Sequence, residues 1–241
     1  MDAELRERVA RVWAFRARFE REAEAHFTAL ASALRETGAP AELTALCDKA
    51  AADEARHAKL AMTLAQRFGL DVQAPTQRSA PRVAPTHLEA PKAALYTSVA
   101  LCAVMESLSA AILRDMRECA EDPQVKQTIH EIFRDEITHS RIGWGHLAWV
   151  ARSEDVSWLA PHIPRMMAAT VQEEIFEAPE GEHGAMLEPW GGLRRERRRM
   201  LFEEAMSGLV IPGLARMGID TEASVQWLSQ RAIPRHDTAR A

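Results

Sequence analysis

The sequence predicts an all-α protein: a four-helix bundle with one long crossover, followed by additional C-terminal helices. Three observations carry this expectation. Aromatic residues are 6% of the chain, while Ala, Leu, Arg and Glu dominate, a composition that suits helices and serves strands poorly. Apolar residues recur at threes and fours over long stretches. Turn signals divide those stretches into two helical hairpins joined by one long polar connection.

The first helix is expected over residues 2–37, where Val9, Trp13, Phe19, Phe27, Leu30 and Leu34 keep helical spacing. Gly38-Ala39-Pro40 then stops one helix and starts the next, since Gly suits a left-handed C-cap and Pro the first turn of a helix. A second helix covers 41–68. The stretch from Gly69 to Pro91 contains Pro75, Pro81, Pro85 and Pro91 and reads as an extended crossover running the length of a bundle. A third helix covers 92–120. Asp122-Pro123, an N-cap followed by proline at the first helical position, opens a fourth over 122–151. Helical pattern returns at 162–177, a Gly-rich loop follows at 179–192, and further helix is expected at 193–217 and 221–231. The division is therefore a bundle at 1–151, a helical extension packed on it at 152–232, and a frayed tail at 233–241.

Several classes are disfavoured at once. A net charge of −5 provides no whole-molecule attraction for nucleic acid. The three cysteines, Cys47, Cys102 and Cys119, never form C-x-x-C, which argues against a disulfide framework or a Cys-ligated metal and fits a reducing, cytoplasmic setting. The start, MDAELRERVARVW, is charged throughout and has no signal-peptide core, so the mature chain is expected to begin near Met1. Ala93 to Leu113 is long and apolar enough to resemble a membrane span, but with nothing else comparable in the chain it reads as a buried helix carrying one charge, Glu106.

Setting residue i beside residue i+82 aligns the hairpins on polar residues. Glu24 falls on Glu106, Asp53-Glu54 on Asp135-Glu136, and His57 on His139. Each half contains a lone Glu and, thirty residues on, Asp-Glu-x-x-His. The midpoints, Ala39 and Glu121, both sit at turns, so the chain climbs roughly 20 Å from the first Glu and descends the same distance to the second. Spacing of i, i+3 puts each Glu and His on one helix face. Four carboxylates and two imidazoles thus converge on one layer. Buried together without cations they would cost many kcal/mol or be forced to protonate. A pair of divalent cations removes the conflict, and oxygen with imidazole donors suits iron or manganese.

This pattern resembles the ferritin-like di-iron carboxylate superfamily over about residues 5–151. The matching ligand set is Glu24, Glu54-Ala-Arg-His57, Glu106 and Glu136-Ile-Thr-His139. The resemblance implies two iron ions, with manganese or a mixed pair as alternatives. It also implies that Asp53 holds the second nitrogen of His139, and Asp135 that of His57. Glu20 shares the face of Glu24 one turn earlier; the turn midpoint favours Glu24. Cys102 reads as a buried thiol, His146 and Glu174 as packing or surface residues, and Arg194 to Arg199 with its interspersed acids as a solvated helix face.

The favoured function is a dioxygen-dependent oxygenase or oxidase acting on a small organic substrate and drawing on an external electron donor, with the C-terminal helices shaping a pocket. No membrane or nucleic-acid partner is expected, although an RNA-modifying hydroxylase, of the kind the ferritin-like tRNA hydroxylases represent, would be a special case of this class; a homodimer is an option. The alternative is a ferroxidase or peroxide-handling protein, as in ferritins and rubrerythrins, although those are little more than a bundle or carry a Cys-rich module. A further alternative is a non-catalytic helical binding protein.

Overall fold

In the computed structural model, residues 1–70, 80–171 and 184–231 are described. Two long helices form the first hairpin, α1 (Ala3–Glu36) and α2 (Ala41–Arg67). The second comprises α3 (Ala90–Cys119) and α4 (Pro123–Val150). No strand occurs among the described residues. Local chemistry sets the ends. The Asp2 carboxylate accepts the Leu5 N–H at 2.8 Å, and Asp122 accepts those of Gln124 and Val125 at 3.0 Å each, with Pro123 behind it. Gly38 takes φ +70° after the Thr37 cap, the left-handed step that turns α1 into α2.

Arg67, at the end of α2, makes two 2.7 Å bonds to Asp122, at the start of α4. The turn of the second hairpin therefore lies at the opposite end of the bundle from Gly38, and the connection between Arg67 and Ala90 must return along its length. Residues 71–79 of that connection, with Pro75, are outside the described residues. Among the described residues α3 is the one helix long and apolar enough to cross a membrane; 72% of its apolar window is inside the protein, as a bundle core requires.

One feature of α3 was not expected. Val99–Glu106 is π-helical, a widened turn that ends on Glu106. The α4 backbone lies against it at Gly143, where an added Cβ would strike the Ala103 backbone nitrogen and come 2.5 Å from the Ser98 carbonyl oxygen. Next to this contact the Ser98 hydroxyl donates to the Leu95 carbonyl at 3.0 Å and meets His146 Nδ1 at 2.7 Å. With its proton given to Leu95, Ser98 accepts from Nδ1–H, and burial lowers the His146 pKa to about 4. Between pH 6.5 and 4 the unfolded chain takes up a proton that the fold refuses. Stability is thus fully present above pH 6.5 and falls as pH drops, by about 3 kcal/mol at pH 4. Urea unfolding across this range should show a shallower loss for His146→Gln; an identical pH profile would contradict the assignment.

Beyond the bundle, a 3-10 turn (Ser157–His162) leads into α5 (Ile163–Ala169). The expected helix over 162–177 is thus shorter where it is described, and residues 172–177, with Glu174, are outside the described residues. A short 3-10 turn (Glu188–Trp190) interrupts the Gly-rich loop, and the Trp13 indole N–H donates to the Trp190 carbonyl at 2.9 Å. The final helices are α6 (Arg195–Ala205), α7 (Ile211–Arg216) and α8 (Glu222–Ser229), with a π turn (Met206–Val210) joining the first two. Arg197 of α6 makes a two-pronged pair with Asp115 of α3, which is buried, and this fastens the extension to the bundle. The tail at 233–241 lies outside the described residues.

Candidate metal centre

Six acidic or imidazole side chains meet in the interior of the bundle, although α1 supplies a different one from that expected. Donor atoms of Glu20, Glu54, His57 and Glu136 lie within 4.8 Å of one another, all buried. His139 joins them, its Nδ1 2.9 Å from Glu54 Oε1 and 3.2 Å from Glu136 Oε2. Glu106, also buried, stands beside Glu136 and feels its charge. Helical spacing sets the pairs: His57 Nδ1 lies 3.2 Å from Glu54 Oε2, repeating the geometry of His139 with Glu136.

Glu24 is not brought into this group. Its partly exposed carboxylate pairs with Arg21, and Glu20 takes the inward place one turn earlier. The physical reason is the depth of the site. Glu24 is level with Glu54, but Glu20 stands 17 residues before Thr37 and His57 stands 17 after Pro40, so those two are level as well. A site spanning a full helical turn admits either residue, and the midpoint rule cannot separate them. The missed signal is Arg16, four residues before Glu20, which pairs with it at 3.0 Å.

Each imidazole turns Nδ1 toward the glutamates and Nε2 toward an aspartate of the other hairpin. His57 Nε2 lies 3.3 Å from Asp135 Oδ2, and His139 Nε2 lies 3.4 Å from Asp53 Oδ2. Arg56 bridges the two aspartates, 2.9 Å from Asp53 Oδ1 and in close contact with Asp135, and Lys49 also pairs with Asp53. Burial opposes ionisation of Asp53, but hydrogen bonds from His139, Lys49 and Arg56 outweigh it and hold the carboxyl well below its usual range. An ionised aspartate fixes Nε2 as the protonated nitrogen, which leaves Nδ1 free to ligate when the ring is neutral.

The titration pattern tests whether this donor set fits a pair of divalent cations. Without metal, burial and then the Glu54 charge raise Glu20 to about 8 against the pull of Arg16, and burial with the Glu136 charge pushes Glu106 well above the carboxylate range. Burial disfavours imidazolium, yet Glu54 holds His57 at about 9, and Asp53, Glu136 and Glu54 lift His139 far above 6.5. Four groups of the cluster thus hold protons near neutrality, balancing the glutamate charge. Two divalent cations would replace those four protons with the same total charge and leave both imidazoles neutral. Glu54 Oε1 is buried and makes no hydrogen bond, with His139 Nδ1 2.9 Å away. The donors fit a di-metal centre.

The other candidate donors are committed elsewhere. Cys102 and Cys47 are buried, and desolvation lifts the Cys47 thiol to about 12 and the Cys102 thiol well above its ordinary value. His146 faces Ser98. Beside the cluster a narrow cleft runs between α1 and α3, lined by Arg16, Phe15, Phe19, Met105, Leu108 and Ile112 among others. Phe19 and Met105 directly precede Glu20 and Glu106.

The rubrerythrin family model matches residues 15–142, more than half of the chain and the part that carries every donor above. The chain belongs to the rubrerythrin family. No curated protein and no solved structure matches it. Membership places the chain among the ferritin-like di-iron carboxylate proteins, whose rubrerythrin members are oxidoreductases. In this rubrerythrin-family chain, the matched region ends before the C-terminal extension begins, so α5 to α8 lie outside what the family accounts for.

Proposed function

We propose that this protein is a dioxygen-dependent di-iron oxidase or oxygenase of a small organic molecule, with Glu20, Glu54, His57, Glu106, Glu136 and His139 as the metal ligands. Two irons held there would supply the electrons for reducing dioxygen. The protein's part is positional. Asp53 and Asp135 fix the imidazole tautomers, Arg16 orients Glu20, and the apolar faces of α1 and α3 keep water from the cluster. The observation that carries this reading is the apolar cleft beside the cluster, which shares Arg16 with Glu20. A protein that handles only iron or peroxide has no need of an apolar cleft walled partly by a C-terminal segment. Peroxide handling is the second reading, favoured by the family itself.

Rapid mixing separates the two. Protein loaded anaerobically with Fe(II) is exposed either to dioxygen or to hydrogen peroxide, and near-ultraviolet charge-transfer absorption is followed. Oxidation should be faster with dioxygen. Oxidation by peroxide alone, or a 12- or 24-subunit shell in solution, would defeat the oxidase reading.

A further inference from the structure

The arginine run at 194–199 reads as a solvated face, but its members separate in space. Arg194 pairs with Glu188 at 2.8 Å and Arg197 with Asp115, while Arg198 turns inward and lines the cleft beside the cluster. The residue is half-buried, its side chain on the wall of the cleft. Its hydrogen bond runs from Nε to the Leu193 carbonyl at 3.0 Å, and no acidic side chain among the described residues pairs with it. Burial, and then the neighbouring positive charge of Arg16, lower its pKa to about 10. Arg16 is spoken for by Glu20. Among the described residues the cleft therefore presents one guanidinium with no acidic partner, its two terminal nitrogens turned to a mostly apolar wall, a place that an anion would suit.

We infer that the cleft binds a monocarboxylate with an apolar, unbranched body, its carboxylate on Arg198 and its body along Phe15, Phe19, Leu108 and Ile112. Carboxylate matches the planar two-pronged face of a guanidinium. One negative charge balances the Arg198 cation, whereas a phosphate dianion would bring excess charge into an apolar cleft. The cleft is small, a cavity of about 50 Å³ with a mostly apolar lining that opens to solvent. A cavity of that size suits a slender chain better than a branched body. With the head on Arg198, the body lies along the wall where Phe19 and Met105 adjoin the two metal-facing glutamates. The inference gives a substrate class to the oxidase proposed above and rests on that reading for its chemistry, though not for its binding.

The test is calorimetric titration of the full-length, metal-loaded protein with octanoate, 1-octanol and inorganic phosphate. Octanoate should bind at least tenfold more tightly than either of the others. Arg198→Met should weaken octanoate at least tenfold with iron content unchanged, and Arg198→Lys, which keeps the charge if the first variant folds poorly, should retain most of the affinity over octanol. Equal binding of octanoate and octanol, preference for phosphate, or undiminished octanoate affinity in Arg198→Met would overturn the inference. Octanoate binding that leaves the dioxygen reaction unaltered supports the site and counts against the oxidase instead.

Discussion

Glu20→Gln is expected to leave the metal-free protein at least as stable as the parent while lowering iron affinity by about tenfold or more, and Glu24→Gln to change neither. The opposed effects follow from the state of Glu20. Its pKa of about 8 makes it a neutral acid near pH 7, held beside Arg16, and glutamine copies that neutral form in size and in its ability to accept from Arg16. An acid whose folded pKa is raised weakens the fold as pH rises from 4.5 toward 8, because the folded chain retains a proton that the unfolded chain has released. Glutamine removes this penalty, so the metal-free variant should gain on the parent as pH rises. Metal binding runs the other way. The parent must release four protons to ligate, those on Glu20 and His57 first, so its affinity should climb with pH through about 8–9. The variant lacks the ligand. Each tenfold loss of affinity removes about 1.4 kcal/mol of metal-linked stabilisation. Anaerobic Fe(II) titration with thermal unfolding, with and without iron, measures both. A Glu20→Gln protein that binds two irons like the parent, with Glu24→Gln losing one, would restore Glu24 to the site.

The choice between Glu20 and Glu24 illustrates what a linear pattern can resolve. Helix ends were legible because their causes are local: Gly38 for a left-handed step, Asp122-Pro123 for a cap. The Glu-x-x-His pairs were legible because i, i+3 spacing brings two side chains together wherever a helix forms. The π stretch was not, because Val99-Ala-Leu-Cys-Ala-Val-Met105 is apolar at every position and so carries no period from which 3.6 residues per turn could be told from a wider one. Nor was Arg198. Within its own helix it belongs to a charged run, and its place on the cleft wall is decided by where α6 docks on α3, a tertiary fact set by the pairing of its neighbour Arg197 with Asp115, far away in the sequence. Residues whose roles depend on a neighbouring helix's depth or docking are the ones that spacing leaves open.

Gly143→Ala should cost the fold about 3 kcal/mol, near the upper end for an overpacked core, and lower its melting temperature by roughly 6–12 °C. In an ordinary helix interior the same change stabilises by about 1 kcal/mol, since alanine is the better helix former. Here the new methyl meets backbone, the Ala103 nitrogen and the Ser98 carbonyl, and no rotamer change can relieve the clash. Gly145, two residues on, provides the control: its Cβ would meet only the end of the Leu43 side chain, at 3.1 Å, which can move aside. Gly145→Ala should therefore be neutral or mildly stabilising. The damage at Gly143 should also reach the metal centre. Glu136, His139 and Gly143 follow one another at spacings of three and four on the same face of α4, and the π stretch they face ends on Glu106. Forcing α3 away at Gly143 pulls Glu106 from Glu136, so iron content should fall together with stability. Thermal unfolding with metal analysis of both variants decides it. If Gly143→Ala unfolds at the parent temperature and holds two irons, close backbone contact is not what sets the depth of Glu106.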